Sequence, residues 1–208
     1  MPALDLTRRQ LIVAMDHGRA MGSVAGLEDP GRVIELAIGG GADAIMTSFG
    51  IVKRYFERIQ GRITSIMRLD GGPSFWREDW LRNTDWRLLH TVDEAAALEV
   101  DGVCTMTFLG AEVELDTLEI TAEVAADCRE SGLPLMVEAL PCPGPRIQDP
   151  LAPDVMAAAC RIAFEHGADV LKTYATTESF GTVTRCVPVP VLIAGGPRLD
   201  SERAALEL

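Results

Sequence analysis

Cysteine is too scarce and too scattered in this sequence to build a disulfide framework or a zinc site. The chain of 208 residues has five cysteines, an odd number, and no pair of them has CxxC spacing. Disulfide scaffolds and structural zinc sites need paired cysteines at short or regular spacings. We therefore expect reduced thiols in a cytosolic chain, at Cys104, Cys128, Cys142, Cys160 and Cys186.

Long apolar runs and an excess of basic charge are missing as well. Every apolar segment is interrupted well short of the ~20 residues that span a bilayer, and the N-terminal stretch MPALDLTRRQ lacks the apolar core of a signal peptide. The formal net charge is -12, whereas nucleic acids and anionic membranes attract clustered Lys and Arg. We expect a cytoplasmic protein that binds neither nucleic acid nor membrane, and whose partner is a small molecule.

Apolar runs alternate with helical patterns along the chain. The runs are nearly continuous, which is typical of parallel strands that are buried on both faces. Strands are predicted at residues 11–15, 42–47, 63–69, 102–108, 133–141, 168–174 and 189–194. Helices are predicted at residues 29–38, 49–59, from 91 onwards, 112–131, 154–166 and 200–208.

This alternation predicts the α/β class, and within it a (β/α)8 TIM barrel formed by a single domain over residues 1–208. Such a barrel has eight strands, and the chain stops after the seventh. A fragment of a longer protein, a strand that is truly absent and an open sheet are all compatible with the pattern.

One predicted strand carries a lysine near its carboxyl end. Lys172 lies in the apolar run that ends at Tyr174. Placing an ammonium group at a low-dielectric strand end either lowers its pKa or demands a partner carboxylate. The neutral amine is the nucleophile of Schiff-base chemistry. Lys172 is therefore the first candidate catalytic residue.

Further ionisable residues lie at the carboxyl ends of other predicted strands. In a barrel these ends converge on the face where catalysis occurs. Asp16 and Glu138 stand in apolar strands, where their charges would be costly unless they pair, so we expect them to act together with Lys172. Arg68 could hold a phosphate or carboxylate, or could form a structural ion pair with Asp70 or Asp16.

All three tryptophans lie between Ser74 and Trp86, in a polar segment after the third strand. This segment predicts either a lid over one end of the domain or a surface turn that packs its aromatic side chains.

Several motifs resemble one enzyme family. The runs VAMDHG, GLEDP, ADAIMTSFGI, CRIAFEHGADVLKTY and VPVLIAGGP cover most of the chain in order. They resemble the class I aldolases of the deoxyribose-phosphate aldolase and archaeal-type fructose-bisphosphate aldolase superfamily, which includes the thiolase of autoinducer-2 catabolism. The DHG of the first strand and the lysine of the sixth are the specific features. The resemblance implies a carbon–carbon lyase that acts on a small, phosphorylated sugar or keto substrate.

The resemblance also implies roles for single residues. Lys172 would form the Schiff base, and Asp16 would assist proton transfer. Gly195 and Gly196 would offer backbone N–H groups to a substrate phosphate, because glycine permits close approach of the backbone. His17, which follows Asp16, is a further candidate for contacting the substrate.

The sequence departs from the family in two places. Archaeal fructose-bisphosphate aldolases have a tyrosine acid/base late in strand five, where this chain has Leu140. The nearest ionisable substitute is Glu138, two residues earlier on the same face of the strand. The second departure is the eighth strand, whose Gly-Arg-Asn turn completes the phosphate site in the family. No metal or cofactor is implied, and the ring-like assemblies of the family imply a homo-oligomer.

Other functions are compatible with the same residues. One is a catalytically inactive barrel that acts as a binding or regulatory protein, and another is a thiolase or transferase that uses the same lysine. A metal-dependent aldolase would need histidines that converge on an ion. His17, His90 and His166 do not provide such a cluster, because His166 precedes its strand and would lie at the opposite face of the sheet.

Overall fold

A parallel sheet of seven strands forms the centre of the computed structural model, which describes residues 7–78, 85–176 and 178–195. The strands are β1 (Ile12–Ala14), β2 (Ala44–Ser48), β3 (Thr64–Arg68), β4 (Asp70–Gly71), β5 (Arg87–Leu88), β6 (Gly102–Leu109), β7 (Leu135–Pro141), β8 (Val170–Thr173) and β9 (Val191–Ile193). The sheet has the order β1-β2-β3-β6-β7-β8-β9, and β4 pairs with β5 in a separate antiparallel ribbon.

This topology confirms the predicted α/β barrel architecture, of which the described residues form seven strands. Each strand of the sheet pairs in parallel with its neighbour in space. Within the described residues β1 and β9 are the two edges of the sheet, so a seam separates them. Gly196 and the predicted helix at 200–208 lie outside the described residues.

Eight helices accompany these strands in the described part of the chain. They are α1 (Gly18–Met21), α2 (Pro30–Gly39), α3 (Phe49–Arg54), α4 (Phe56–Ile59), α5 (Val92–Ala97), α6 (Glu114–Ser131), α7 (Pro153–Glu165) and α8 (Gly181–Arg185). Two of these helices begin at capping side chains: the Asp29 side chain accepts from Arg32 N at the start of α2, and Thr91 and Glu94 form a capping box on α5.

The predicted helix at 49–59 is wrong as a single element. It divides into α3 and α4 at Tyr55, whose φ of -115° and ψ of 25° lie outside the helical range. The Tyr55 ring packs so closely on Gly31 of α2 that a Cβ at Gly31 would collide with it. Packing against the neighbouring helix has therefore overridden a helical sequence pattern.

The barrel interior begins as an apolar layer. Side chains from all seven strands of the sheet meet in it: Ile12, Ala14, Ala44, Met46, Ile66, Cys104, Met136, Val170 and Leu192. Most of them are fully buried. Inward-facing residues of a strand are two positions apart. The residues of the next layer towards the carboxyl ends are therefore the ones that follow these by two positions.

Trp86, the last residue of the tryptophan segment, forms part of the barrel wall. Trp86 is buried and packs edge-on against Phe108, with ring centroids 4.7 Å apart, just before β5. Trp76 is 84% exposed, and Trp80 lies outside the described residues. Of the two predicted alternatives, Trp86 fits the packed turn, because its ring closes the upper part of the barrel.

Candidate active site

A layer of ionisable side chains lies directly above the apolar interior. Each member follows an inward-facing apolar residue by two positions: Asp16 follows Ala14, Arg68 follows Ile66, Glu138 follows Met136 and Lys172 follows Val170. The strand register also places Glu138 beside Lys172 on the neighbouring strand. The structure thus brings together the three residues predicted to act as a catalytic group.

Arg68 connects the carboxylates of this layer. Its side chain is only 2% exposed and reaches three carboxylates. Arg68 Nε donates to Asp16 Oδ2 at 2.7 Å, and Arg68 Nη2 donates to Glu138 Oε2 at 2.5 Å. A longer contact of 3.5 Å joins Arg68 Nη1 to Asp70 Oδ1. Burial works against the charged form, but the surrounding carboxylates raise the pKa of Arg68 well above its usual range.

The sequence left two roles open for Arg68, and the geometry favours the structural one. Both predicted ion pairs, with Asp16 and with Asp70, are present. A third pair, with Glu138, was not anticipated. The guanidinium therefore holds both candidate proton-transfer groups in fixed positions. Arginine suits this role because its planar guanidinium presents several N–H donors in fixed directions.

Lys172 has the carboxylate partner that its burial demands. Its Nζ lies 2.8 Å from Glu138 Oε1, and its side chain is 15% exposed. Burial alone would raise the pKa of Glu138, but the charges and hydrogen bonds of Arg68 and Lys172 lower it below the ordinary value of 4.5. Glu138 is therefore a carboxylate at neutral pH, and it is the nearest acceptor for a proton from Lys172.

Asp16 is a second carboxylate in the same layer. Burial opposes its ionisation, but Arg68, and to a smaller extent His17 and Lys172, lower the pKa of Asp16 below the ordinary value of 3.8. Both candidate proton-transfer residues are therefore bases at neutral pH.

Asp70 is the third carboxylate that contacts Arg68. It is fully buried, and its Oδ2 accepts hydrogen bonds from Trp86 Nε1 at 2.8 Å and from the Met106 backbone N–H at 2.6 Å. Burial raises the pKa of Asp70, although Arg68 and these donors partly offset the rise. Asp70 thereby connects Arg68 to the wall formed by Trp86.

A cavity of about 370 Å³ opens above this layer. Asp16, Arg68, Glu138 and Lys172 line it, together with an apolar wall of Met106, Phe108, Leu140 and Trp86. Its volume falls in the range of small-molecule sites. Leu140, at the predicted position of the family's tyrosine, contributes only apolar surface.

The remaining predicted site residues are distributed around two cavities. His17 is exposed and borders both the smaller cavity and a larger one of about 1070 Å³ that follows the seam between β1 and β9. Gly195 borders the larger cavity, which Lys172 also lines. Gly196 lies outside the described residues.

Two residues outside the predicted catalytic and substrate-binding set also line the smaller cavity, Arg19 and Tyr174. Tyr174 follows Lys172 by two residues; burial raises the pKa of its phenol, and Glu138 adds to the rise. Arg19 follows Asp16 by three residues. Position after a strand end was the available signal for both.

Two further properties of the described residues concern membrane crossing and metal binding. No helix there is long and apolar enough to cross a membrane. In the same part of the chain, no group of three or more His, Cys, Asp or Glu side chains is placed to hold a metal ion.

Comparison with known proteins gives consistent results. The model of the family described as DeoC/LacD family aldolase matches residues 10–207. A 2-amino-3,7-dideoxy-D-threo-hept-6-ulosonate synthase of Halobacterium salinarum is 34% identical over 197 residues, which is 93% of this chain and 72% of that protein. The class 1 fructose-bisphosphate aldolase of Thermoproteus tenax is 28% identical over 207 residues, 96% of this chain and 76% of that protein.

Solved structures show the same relationship. One is an archaeal fructose-1,6-bisphosphate aldolase whose catalytic Lys is covalently bound to the carbinolamine intermediate of the substrate. It superimposes with a TM-score of 0.85 at 28% identity, covering 96% of this chain and 79% of that one. These matches confirm the resemblance seen in the sequence motifs and the expectation of an aldolase-type enzyme. The chain belongs to the DeoC/LacD family of aldolases, within the class I superfamily.

Proposed function

We propose that this chain, as a single domain over residues 1–208, is a class I aldolase that forms a Schiff base through Lys172. The observation that carries the proposal is the contact of Lys172 Nζ with Glu138 Oε1 at 2.8 Å, at the floor of a cavity large enough for a small sugar or keto substrate. A partly buried amine with a proton acceptor in direct contact meets the geometric requirement for an activated nucleophile.

The first step is proton transfer from Lys172 to Glu138. The amine lone pair then attacks the substrate carbonyl, forming the N–C bond of a carbinolamine. Protonated Glu138 returns the proton to the carbinolamine hydroxyl, which leaves as water, and an iminium remains on Nζ. One carboxylate thus serves as base and then as acid, and its fixed contacts with Arg68 hold it within reach.

Carbon–carbon cleavage follows from the positive iminium. A carboxylate, Asp16 or Glu138, removes the proton of the substrate hydroxyl, and the electrons of the breaking C–C bond flow into the iminium to give an enamine. An aldehyde is released. Protonation of the enamine carbon and hydrolysis of the C=N bond then free the second product and restore Lys172. Condensation runs through the same steps in reverse.

For the substrate, we propose a small phosphorylated sugar or keto compound. Support comes from the relatives, one of which is a fructose-bisphosphate aldolase, and from Gly195, which borders the larger cavity beside Lys172. The backbone N–H groups of Gly195 and Gly196 would receive the phosphate, with His17 at the rim as a further contact.

The sequence pattern and the family also bear on the cellular setting. We propose a cytoplasmic homo-oligomer, because the cysteines are odd in number and lack CxxC spacing and because the family forms ring-like assemblies. Light scattering coupled to gel filtration gives the mass of the particle, and a monomer would contradict the oligomer.

Borohydride reduction tests the proposed function. The sequence has only two lysines, Lys53 and Lys172, and Lys53 is exposed, so it serves as the natural control. The protein is incubated with a panel of small ketones, aldehydes and sugar phosphates, reduced with borohydride and weighed by intact mass spectrometry. We expect a mass gain of one reduced adduct in the wild type and in Lys53→Met. The gain should be absent in Lys172→Met.

An equal mass gain in Lys172→Met would contradict the proposal. So would the absence of any adduct with every carbonyl of the panel, which would instead favour an inactive barrel that acts as a binding protein.

A further inference from the structure

A second arginine lies in the wall of the smaller cavity. Arg19 belongs to α1, and its guanidinium carbon lies 5.3 Å from the centroid of the Trp86 ring. The same side chain passes so close to Gly71 that a Cβ there would collide with Arg19 Nη1. The stacking contact and the close passage fix the guanidinium before any ligand arrives.

The hydrogen-bond donors of Arg19 are unused. Throughout residues 7–78, 85–176 and 178–195, the guanidinium of Arg19 has its stacking contact with Trp86 but no hydrogen bond or ion pair with a protein group. A guanidinium carries five N–H donors in a geometry that matches carboxylate and phosphate. Arg68, in contrast, is occupied by three protein carboxylates. Of the two arginines that line the cavity, Arg19 is the one able to bind a ligand anion.

Lys172 lines both cavities, whereas Gly195 borders only the larger one and Arg19 only the smaller one. Gly195 follows β9, which is the neighbour of β8 on one side. Arg19 stacks on Trp86, which packs against Phe108 of β6, two strands away from β8 on the other side. A substrate attached through its carbonyl carbon to Lys172 therefore extends in one direction towards Gly195 and in the other towards Arg19.

We propose that Arg19, oriented by Trp86, binds a carboxylate or phosphate ester on the aldehyde fragment, which leaves in cleavage and enters in condensation. This inference deepens the proposed function and rests on it, because only a substrate held at Lys172 has a defined fragment on the Arg19 side. The aldehyde fragment is then an anionic aldehyde, and a neutral one is a poor substrate.

The charges around the cavity suit an anion only with Arg19 present. Asp16, Asp70 and Glu138 are three acidic groups, against the two basic groups Arg68 and Lys172. Arg19 supplies the third positive charge. A residue that merely balanced charge would affect all substrates alike, whereas an anion-binding residue affects anionic substrates selectively.

The test compares matched aldehydes in three proteins. D-glyceraldehyde 3-phosphate is paired with D-glyceraldehyde, and succinic semialdehyde is paired with butanal. For each aldehyde, the rate of its condensation with one ketone that forms the Schiff base on Lys172 is measured in the wild type, in Arg19→Gln and in Arg129→Gln. Arg129 is exposed in the last turn of α6 and serves as the matched control. The pair whose anionic-to-neutral rate ratio changes more in Arg19→Gln identifies the preferred anion as phosphate or carboxylate.

We expect the anionic-to-neutral rate ratio to fall about 10- to 100-fold in Arg19→Gln, the range for hydrogen bonds to a charged group, and to stay unchanged in Arg129→Gln. The inference is overturned if Arg19→Gln leaves both ratios unchanged, or if it slows both members of each pair equally.

A second measurement separates failure of this inference from failure of the proposed function. Inorganic phosphate and succinate are titrated against each unreacted protein while the melting temperature is recorded. We expect a smaller rise in Arg19→Gln than in the wild type and Arg129→Gln. If no carbonyl compound forms an adduct on Lys172, the proposed function fails, and equal rises in all three proteins would then overturn the anion site as well.

Discussion

Replacing Glu138 with glutamine probes the contact on which the chemistry depends. Glu138 accepts hydrogen bonds from Arg68 at 2.5 Å and from Lys172 at 2.8 Å, one on each carboxylate oxygen. A glutamine has the same shape but only one oxygen, so its amide NH₂ must face one of the two cations. The substitution therefore removes a buried negative charge and leaves one cation without a partner.

The expected loss of stability follows from the burial of the pair. The side chains of Arg68 and Glu138 are 2% and 9% exposed, and breaking a buried ion pair on one side costs about 3–5 kcal/mol. Because the glutamine oxygen still accepts one hydrogen bond, we expect about 3 kcal/mol, measured by urea denaturation at pH 7. Glu123→Gln is the control, because Glu123 is exposed on α6.

The stability difference should depend on pH in a defined direction. The pKa of Glu138 is lowered in the folded protein from its ordinary value of 4.5. A lowered pKa contributes stability above the unfolded value, and that contribution is lost as the pH falls through the folded value. The gap between wild type and Glu138→Gln should therefore be constant near pH 7 and shrink below pH 4.5.

The same variant should be a poor catalyst. Loss of a general acid–base group typically lowers kcat by about 10²- to 10⁴-fold, and trapping of carbonyl compounds on Lys172 should slow as well. A Glu138→Gln protein that keeps the wild-type kcat, trapping rate and stability would refute the assignment of Glu138.

Three further outcomes are expected. Asp70→Asn should lower the free energy of unfolding by about 1–3 kcal/mol in urea denaturation, because the buried contact with Arg68 loses its charge; unchanged stability would contradict this. Trp86→Phe removes the donor to Asp70 Oδ2 and should lower the free energy of unfolding by about 1 kcal/mol in the same assay. An unchanged free energy of unfolding would contradict a stabilising role for that hydrogen bond. The acid limb of kcat/KM should lie below the ordinary carboxyl pKa values of 3.8 and 4.5, because the pKa values of Asp16 and Glu138 are lowered. An acid limb above pH 4.5 would contradict these lowered pKa values.

The catalytic layer could be predicted from the sequence because strand periodicity determines it. Asp16, Glu138 and Lys172 each stand at the carboxyl end of an apolar run, and the ends of parallel strands meet at one face. The partner of Arg68 could not be chosen in the same way. Asp16 and Asp70 were both plausible, and only the packing of the barrel shows that Arg68 reaches both of them and Glu138 too.

The cavity wall depended on contacts that sequence patterns do not encode. Trp86 lies in a polar segment, and its burial results from the β4–β5 ribbon, whose strands are separated by 15 residues. Arg19 is placed by that same tryptophan. The division between α3 and α4 likewise reflects packing of Tyr55 against Gly31 of α2, which a propensity argument on residues 49–59 could not detect.

The most direct test of the central claim is to locate the covalent bond. After reduction of the complex with a carbonyl compound that reacts, peptide mass spectrometry should place the adduct on Lys172 and leave the peptide that contains Lys53 unmodified. An adduct on Lys53, or one distributed equally between the two lysines, would contradict a Schiff base formed by the buried amine beside Glu138.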